Sequence, residues 1–176
     1  MWNNAGTAGL IMGLISTASM FIGQFLSTKG LSPVMTGISG FAVWVAETGG
    51  CIYLMYFFMK KFSSENPSAD NAATFRMGMV TALLSALVYS GATFANMGYI
   101  SADYYTEQYQ LMFQQMNSML DSNSRAMLET MIDKMPQIAF FSNLIYCYLF
   151  GTIVSAALSR GIPAKDPFAD YKPDEQ

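Results

Sequence analysis

Val34–Met59, VMTGISGFAVWVAETGGCIYLMYFFM, is apolar or small through 26 residues, carries one carboxylate, Glu47, at its middle, and stops at Lys60 and Lys61. As a helix rising about 1.5 Å per residue it reaches about 39 Å, against a hydrocarbon core of about 30 Å, so it spans a bilayer with some tilt. Composition agrees: 52% of the 176 residues are hydrophobic and 12% charged, about half the charge of an ordinary soluble domain. A soluble fold would have to hide four long apolar runs in one small core. The net charge of −3, with no basic block and no Gly-rich phosphate loop, argues against nucleic acid as a partner. Histidine is absent, and both cysteines, Cys51 and Cys147, fall in apolar runs, which disfavours a disulfide framework, a zinc site or a Ser-His-Asp arrangement. No cofactor and no enzymatic activity are expected.

Three further spans are predicted around this one, over about 8–26, 77–100 and 137–158, with the second over 34–59. The first has no Lys or Arg before it and is longer than a signal-peptide core, so it is expected to be a retained helix. Its Gly9 and Gly13 form a GxxxG pair; in lipid, small residues let backbones approach, so this face is expected to be a helix-packing seam, within the bundle more readily than in a dimer. Gly40 and Gly50, close to Glu47 in angle around the second span, and Gly151, in the series Asn143, Cys147, Gly151, Ser155, are assigned the same packing role. KKFSSENPSADNAATFR, residues 60–76, has the Pro, Ser, Asn and Asp content of a loop. Ser85, Tyr89, Thr93 and Asn96 lie in one angular sector of the third span, which is expected to face the bundle interior.

Residues 101–135 are the only sizeable polar segment between spans. Leu111, Met112, Met116, Met119 and Leu120, then Met127, Leu128, Met131 and Ile132, recur at three and four residues, the period of amphipathic helices. Asp121–Ser124 interrupts them, so the segment is predicted to be an extramembrane helical hairpin. The methionines Met112, Met116, Met119, Met127 and Met131 are expected to rest on lipid or a partner; thioethers bind copper(I), but these alternate with leucines and lack His or Cys neighbours, so no metal is assigned. The fold class is therefore all-α: one four-span transmembrane domain over 1–160, followed by an extended tail over 161–176. Six of the nine Lys and Arg flank the second-to-third connection or follow the fourth span, which by the positive-inside rule puts both termini in the cytoplasm and the hairpin outside.

GLIMGLIS at 9–16, FRMGMVTALLSALVY at 75–89, YISADYYTEQY at 99–109, the Met-rich segment and GTIVSAALSRGIPAKDP at 151–167 together resemble the domain-of-unknown-function 4199 family. Each motif is a plain Gly and apolar pattern, and their order and spacing carry the resemblance over nearly the whole chain. It implies a small four-helix bacterial inner-membrane protein, of a kind seen mostly in Bacteroidota, and it implies no activity and no functional residue.

Glu47 asks for a chemical account. A carboxylate at mid-bilayer is costly and ordinarily faces a bundle interior or a wet cavity, and no Lys, Arg or His lies within any of the four spans. Partners expected at its depth are Ser85, Tyr89 and Thr93 on the third span and Tyr146 and Thr152 on the fourth. Two functions follow. The leading one is a non-enzymatic scaffold or accessory subunit of a membrane complex, meeting another membrane protein or a second copy, with Glu47 a hydrogen-bonding residue between helices. The alternative is a small oligomeric transporter or channel-like protein in which Glu47 carries a proton or binds a cation.

Overall fold

A computed structural model describes residues 2–29, 32–66, 69–116 and 130–162, and every regular element among them is helical. They are α1 (Trp2–Thr28), α2 (Pro33–Glu65), α3 (Asn71–Ala95), continued by a π-helical turn (Asn96–Ile100), α4 (Ala102–Met116) and α5 (Met135–Gly161). α1, α2, α3 with its π turn, and α5 are each long and apolar enough to cross a bilayer. Their starts follow capping chemistry. Ser32 accepts from the Met35 amide ahead of Pro33 at the first turn of α2, Asp70 accepts from the Ala73 amide at 2.7 Å to open α3, and Pro136 sits in the first turn of α5.

The packing is inverted relative to a water-soluble bundle. Ala5, Ala8, Ala82 and Ala86, the methionines Met55, Met59 and Met77, and the hydroxyl residues Thr81, Ser90 and Ser155 are buried, whereas Val34, Phe41 and Ile153 are about two-thirds exposed. Small residues inside and large apolar ones outside is the arrangement that lipid, which gives no hydrophobic drive between helices, selects. α3 is the central helix, with α5 on one side and α1 on the other; α2 packs on α1 and touches α3 and α5 more lightly.

Glycines set the two main seams. A Cβ at Gly9 would lie 2.6 Å from Leu84 Cβ, and one at Gly13 2.6 Å from Val88 Cβ and 2.9 Å from the Ser85 carbonyl, so the GxxxG pair faces α3. Gly151 lies as close to Ala82 Cβ, and Gly78, which the sequence did not single out, faces Ser155 and Met59 Sδ. Ser155 Oγ donates to the Phe75 carbonyl at 3.0 Å, tying α5 to the start of α3. Gly40 and Gly50 correct the expectation: a Cβ at either would meet no atom within 4 Å, so neither glycine is a packing contact. Sharing an angular sector with Glu47 was not enough, because α2 packs mainly on α1 and only lightly on α3 and α5.

The loop expected over 60–76 is much shorter. α2 continues through Glu65 and α3 begins at Asn71, because Phe62 and Ser63 are buried, Lys61 pairs with Glu65 at 3.8 Å one turn on, and Asn66 closes the helix onto the Phe62 carbonyl. Of the expected hairpin the structure describes the first helix, α4, on which Leu111 and Met112 are exposed. The turn at 121–124, Met119 and Met127 and the tail from 163 lie outside the described residues, as does the side chain of Met116; Met131 is half-buried.

A polar cluster docks α4. Asn96 is fully buried in the π turn; its Nδ2 donates to Gln24 Oε1 at 2.9 Å on α1 and to the Tyr105 hydroxyl at 3.2 Å on α4, and its Oδ1 accepts from Ser101 Oγ at 2.9 Å. Ser27 and Tyr104 hydroxyls meet at 2.9 Å beside it.

Candidate intramembrane site

Glu47 is placed near the middle of α2 by the register that starts at Pro33, and it lines a partly open cavity of about 330 Å³ to which all four long helices contribute. The cavity exists because of how the helices pair. α3 holds α1 and α5 on either side of it, and α2 closes the remaining side without packing tightly on α5. α2 contributes Trp44, Glu47, Thr48, Cys51, Ile52 and Met55; α1 contributes Met12 and Ser16; α3 contributes Ala82, Ser85 and Tyr89; α5 contributes Asn143, Tyr146, Cys147, Phe150, Gly151 and Val154. Every helix thus brings at least one polar group to an otherwise apolar, aromatic wall.

Of the residues expected around Glu47, the structure brings together Ser85, Tyr89 and Tyr146. Thr93 and Thr152 are elsewhere. The Thr93 hydroxyl donates to the Tyr89 carbonyl at 3.0 Å and points at Met20 Sδ on α1, and Thr152 Oγ1 is buried without a partner among the described residues. Ser16 on α1, Thr48 on Glu47's own helix, and both cysteines were not assigned to the site from sequence. Ser16 Oγ lies 4.0 Å from Cys51 Sγ across the α1–α2 contact. The four-residue series Asn143, Cys147, Gly151 held the signal for the α5 wall, since all three line the cavity.

Among the described residues Glu47 makes no hydrogen bond and no ion pair; the one salt bridge, Lys61–Glu65, lies at the end of α2. The cavity has no Lys or Arg in its wall. Among the described residues no three of His, Cys, Asp and Glu converge as a metal set. The arrangement therefore offers an acid at mid-membrane depth, hydroxyl and amide groups from Ser85, Tyr89 and Asn143, and aromatic rings, with room for something other than protein.

Comparison with protein families matches residues 7–160 to the model of a protein of unknown function, DUF4199. Comparisons with curated proteins and with solved structures find no match.

Proposed function

The chain belongs to the DUF4199 family, and we propose that this member is an integral protein of a bacterial inner membrane that binds and releases a cationic species or a proton at Glu47. The observation that supports this most directly is the cavity itself: Glu47 faces about 330 Å³ of space and has no protein partner among the described residues. A carboxyl kept only to hold helices together would be expected to make interhelical hydrogen bonds, since that is how such a residue offsets the cost of its position. The role is non-enzymatic, and a transporter or channel-like oligomer is the form of it that fits a four-span chain.

The test is reconstitution into liposomes that carry a pH gradient and an internal pH-sensitive dye. Added cations, sodium and a set of organic ammonium compounds, should collapse the gradient faster with the wild-type protein than with Glu47→Gln. Equal rates for the two proteins would reject the reading.

A second reading, a scaffold or accessory subunit, draws on α4, where Leu111 and Met112 are 46% and 43% exposed outside the four long helices. There the Met-rich hairpin would meet a larger membrane protein. Purification in mild detergent, followed by mass spectrometry, distinguishes it: a stoichiometric larger partner supports the scaffold, and a homogeneous self-oligomer removes its basis.

A further inference from the structure

We propose that the Glu47 cavity takes a lipophilic organic cation, an amine or quaternary ammonium carried on an aromatic ring, which enters sideways from the bilayer between α2 and α5. This rests on the reading of Glu47 as the binding acid and adds the class of ligand and its route.

Charge comes first. An acid with no cationic neighbour in the wall can exchange its proton for a ligand that brings its own positive charge, and a neutral or anionic ligand cannot make that exchange. The rings come second. Trp44, Tyr89, Tyr146 and Phe150 all line the cavity, and Tyr146 and Phe150 lie stacked with centroids 6.4 Å apart and planes 11° apart. Ring faces are electronegative and attract ammonium groups, most strongly where water is excluded. Size comes third. A cavity of about 330 Å³ is far larger than a bare ion needs. It lies at the small end of the range of about 300–1,000 Å³ typical of small-molecule pockets.

The route follows from the helix packing. α2 and α5 touch only lightly, and Trp44 and Tyr146, one on each, are 56% and 66% exposed. Both belong to long apolar helices, so the surface on which they are exposed is the one that faces hydrocarbon. A ligand using that opening must dissolve in the bilayer before it reaches the carboxylate, which selects a greasy cation over a hydrated one.

The experiment uses the full chain in phosphatidylcholine liposomes, with Trp2→Phe leaving Trp44 as the only tryptophan. Its emission is titrated with phenyltrimethylammonium and with tert-butylbenzene, which has the same shape with carbon in place of the charged nitrogen. In this background Glu47→Gln should weaken the cation at least about ten-fold, a loss of one ion pair at depth, and leave the neutral compound unchanged. Unchanged binding of the neutral compound also shows that the variant's cavity is intact. Tyr146→Leu, at the exposed mouth, should weaken the cation by roughly two- to ten-fold. Equal effects of Glu47→Gln on both compounds, or none on either, overturn the proposal. So does a Trp44 signal insensitive to both while cross-linking shows a second copy closing the α2–α5 opening. If sodium still collapses a pH gradient in a Glu47-dependent way while the ammonium compound shows no preference for wild type, the ligand class falls and the binding role of Glu47 stands. Loss of Glu47 dependence in both assays rejects the two together.

Discussion

At Gly13 a methyl group has nowhere to go. Its Cβ would meet Val88 Cβ and the Ser85 carbonyl inside 3 Å, and the backbone oxygen cannot rotate away. Gly13→Leu is therefore expected to cost about 1–3 kcal/mol by overpacking the α1–α3 seam. Gly50→Ala, where a Cβ meets nothing within 4 Å, is expected to gain about 0.5–1 kcal/mol from helix propensity. Unfolding of the two variants in mild detergent, followed by circular dichroism, checks both signs at once. The pair also shows what sequence can convey about single residues. Glu47 was legible because one acid in 26 apolar residues has no ordinary explanation. The facing of a glycine was not, since small residues serve a seam and open space equally well. Hydroxyl residues mislead for a related reason: Thr17, Thr81 and Thr93 each donate to the carbonyl four residues back, so their polarity is satisfied within their own helix. Thr93 thus looked like a partner for Glu47 and is bonded elsewhere, whereas Ser85 and Tyr89, in the same sector, line the cavity.

At the scale of elements, α4 is held to the bundle by few groups, among them the titratable tyrosines Tyr104 and Tyr105. Burial raises the Tyr105 hydroxyl above the ordinary tyrosine value, the neighbouring Tyr104 and Tyr109 add to the rise, and the Asn96 hydrogen bond partly opposes it. Tyr109 is raised by burial as well. A raised value means that the docked state favours the neutral phenol. This contribution is fully present below the unfolded value of about 10 and is lost as pH rises through the higher docked value. Tyrosine ionisation followed by ultraviolet absorbance should therefore show a late-titrating class above pH of about 10, accompanied by faster proteolysis within α4. Asn96→Leu, which leaves Gln24, Ser101 and Tyr105 without their shared partner, is expected to cost about 1–3 kcal/mol and, with α4 still docked, to shift the Tyr105 titration further upward, because the hydrogen bond that opposed the rise is gone. A helix in the segment after the third span was expected, and α4 is one; the apolar period that suggested it runs largely past Met116, outside the described residues. Its anchor was only half legible: Asn96 was expected to face inward, but nothing in the sequence tied it to Gln24, near the end of α1 at the edge of the bundle. That edge is where the π turn and α4 meet α1.

For the whole molecule, the helix ends separate charge. Asn4 Nδ2 donates to Glu65 Oε2 at 2.8 Å, so the start of α1 and the end of α2 share one end of the bundle, with Lys60, Lys61, the start of α3 at Arg76 and the end of α5 at Arg160. The other end holds Lys29, α4 and Lys134, and there Ser27 reaches Tyr104. Cations at both ends fold back over aromatic rings, Lys29 over Phe25 at 4.5 Å and Lys60 over Tyr56 at 5.7 Å, as side chains do at a lipid boundary. The four spans were legible because apolar length is a one-dimensional signal. The cavity was not, because it arises from the unequal closeness of helix pairs, α3 tight on α1 and α5 while α2 packs on α1 and stands off from α3 and α5, which no single stretch of sequence records. If the charge separation sets orientation through the positive-inside rule, the end with Lys60, Lys61, Arg76 and Arg160 faces the cytoplasm. Single cysteines placed at the exposed positions Arg76 and Glu107 test this, with Cys51 and Cys147, half-buried at membrane depth, as internal controls. A membrane-impermeant maleimide should label Glu107→Cys in spheroplasts and Arg76→Cys only in inverted vesicles. Labelling in the reverse order would place α4 in the cytoplasm, and a ligand released on the α4 side would then be taken up rather than expelled.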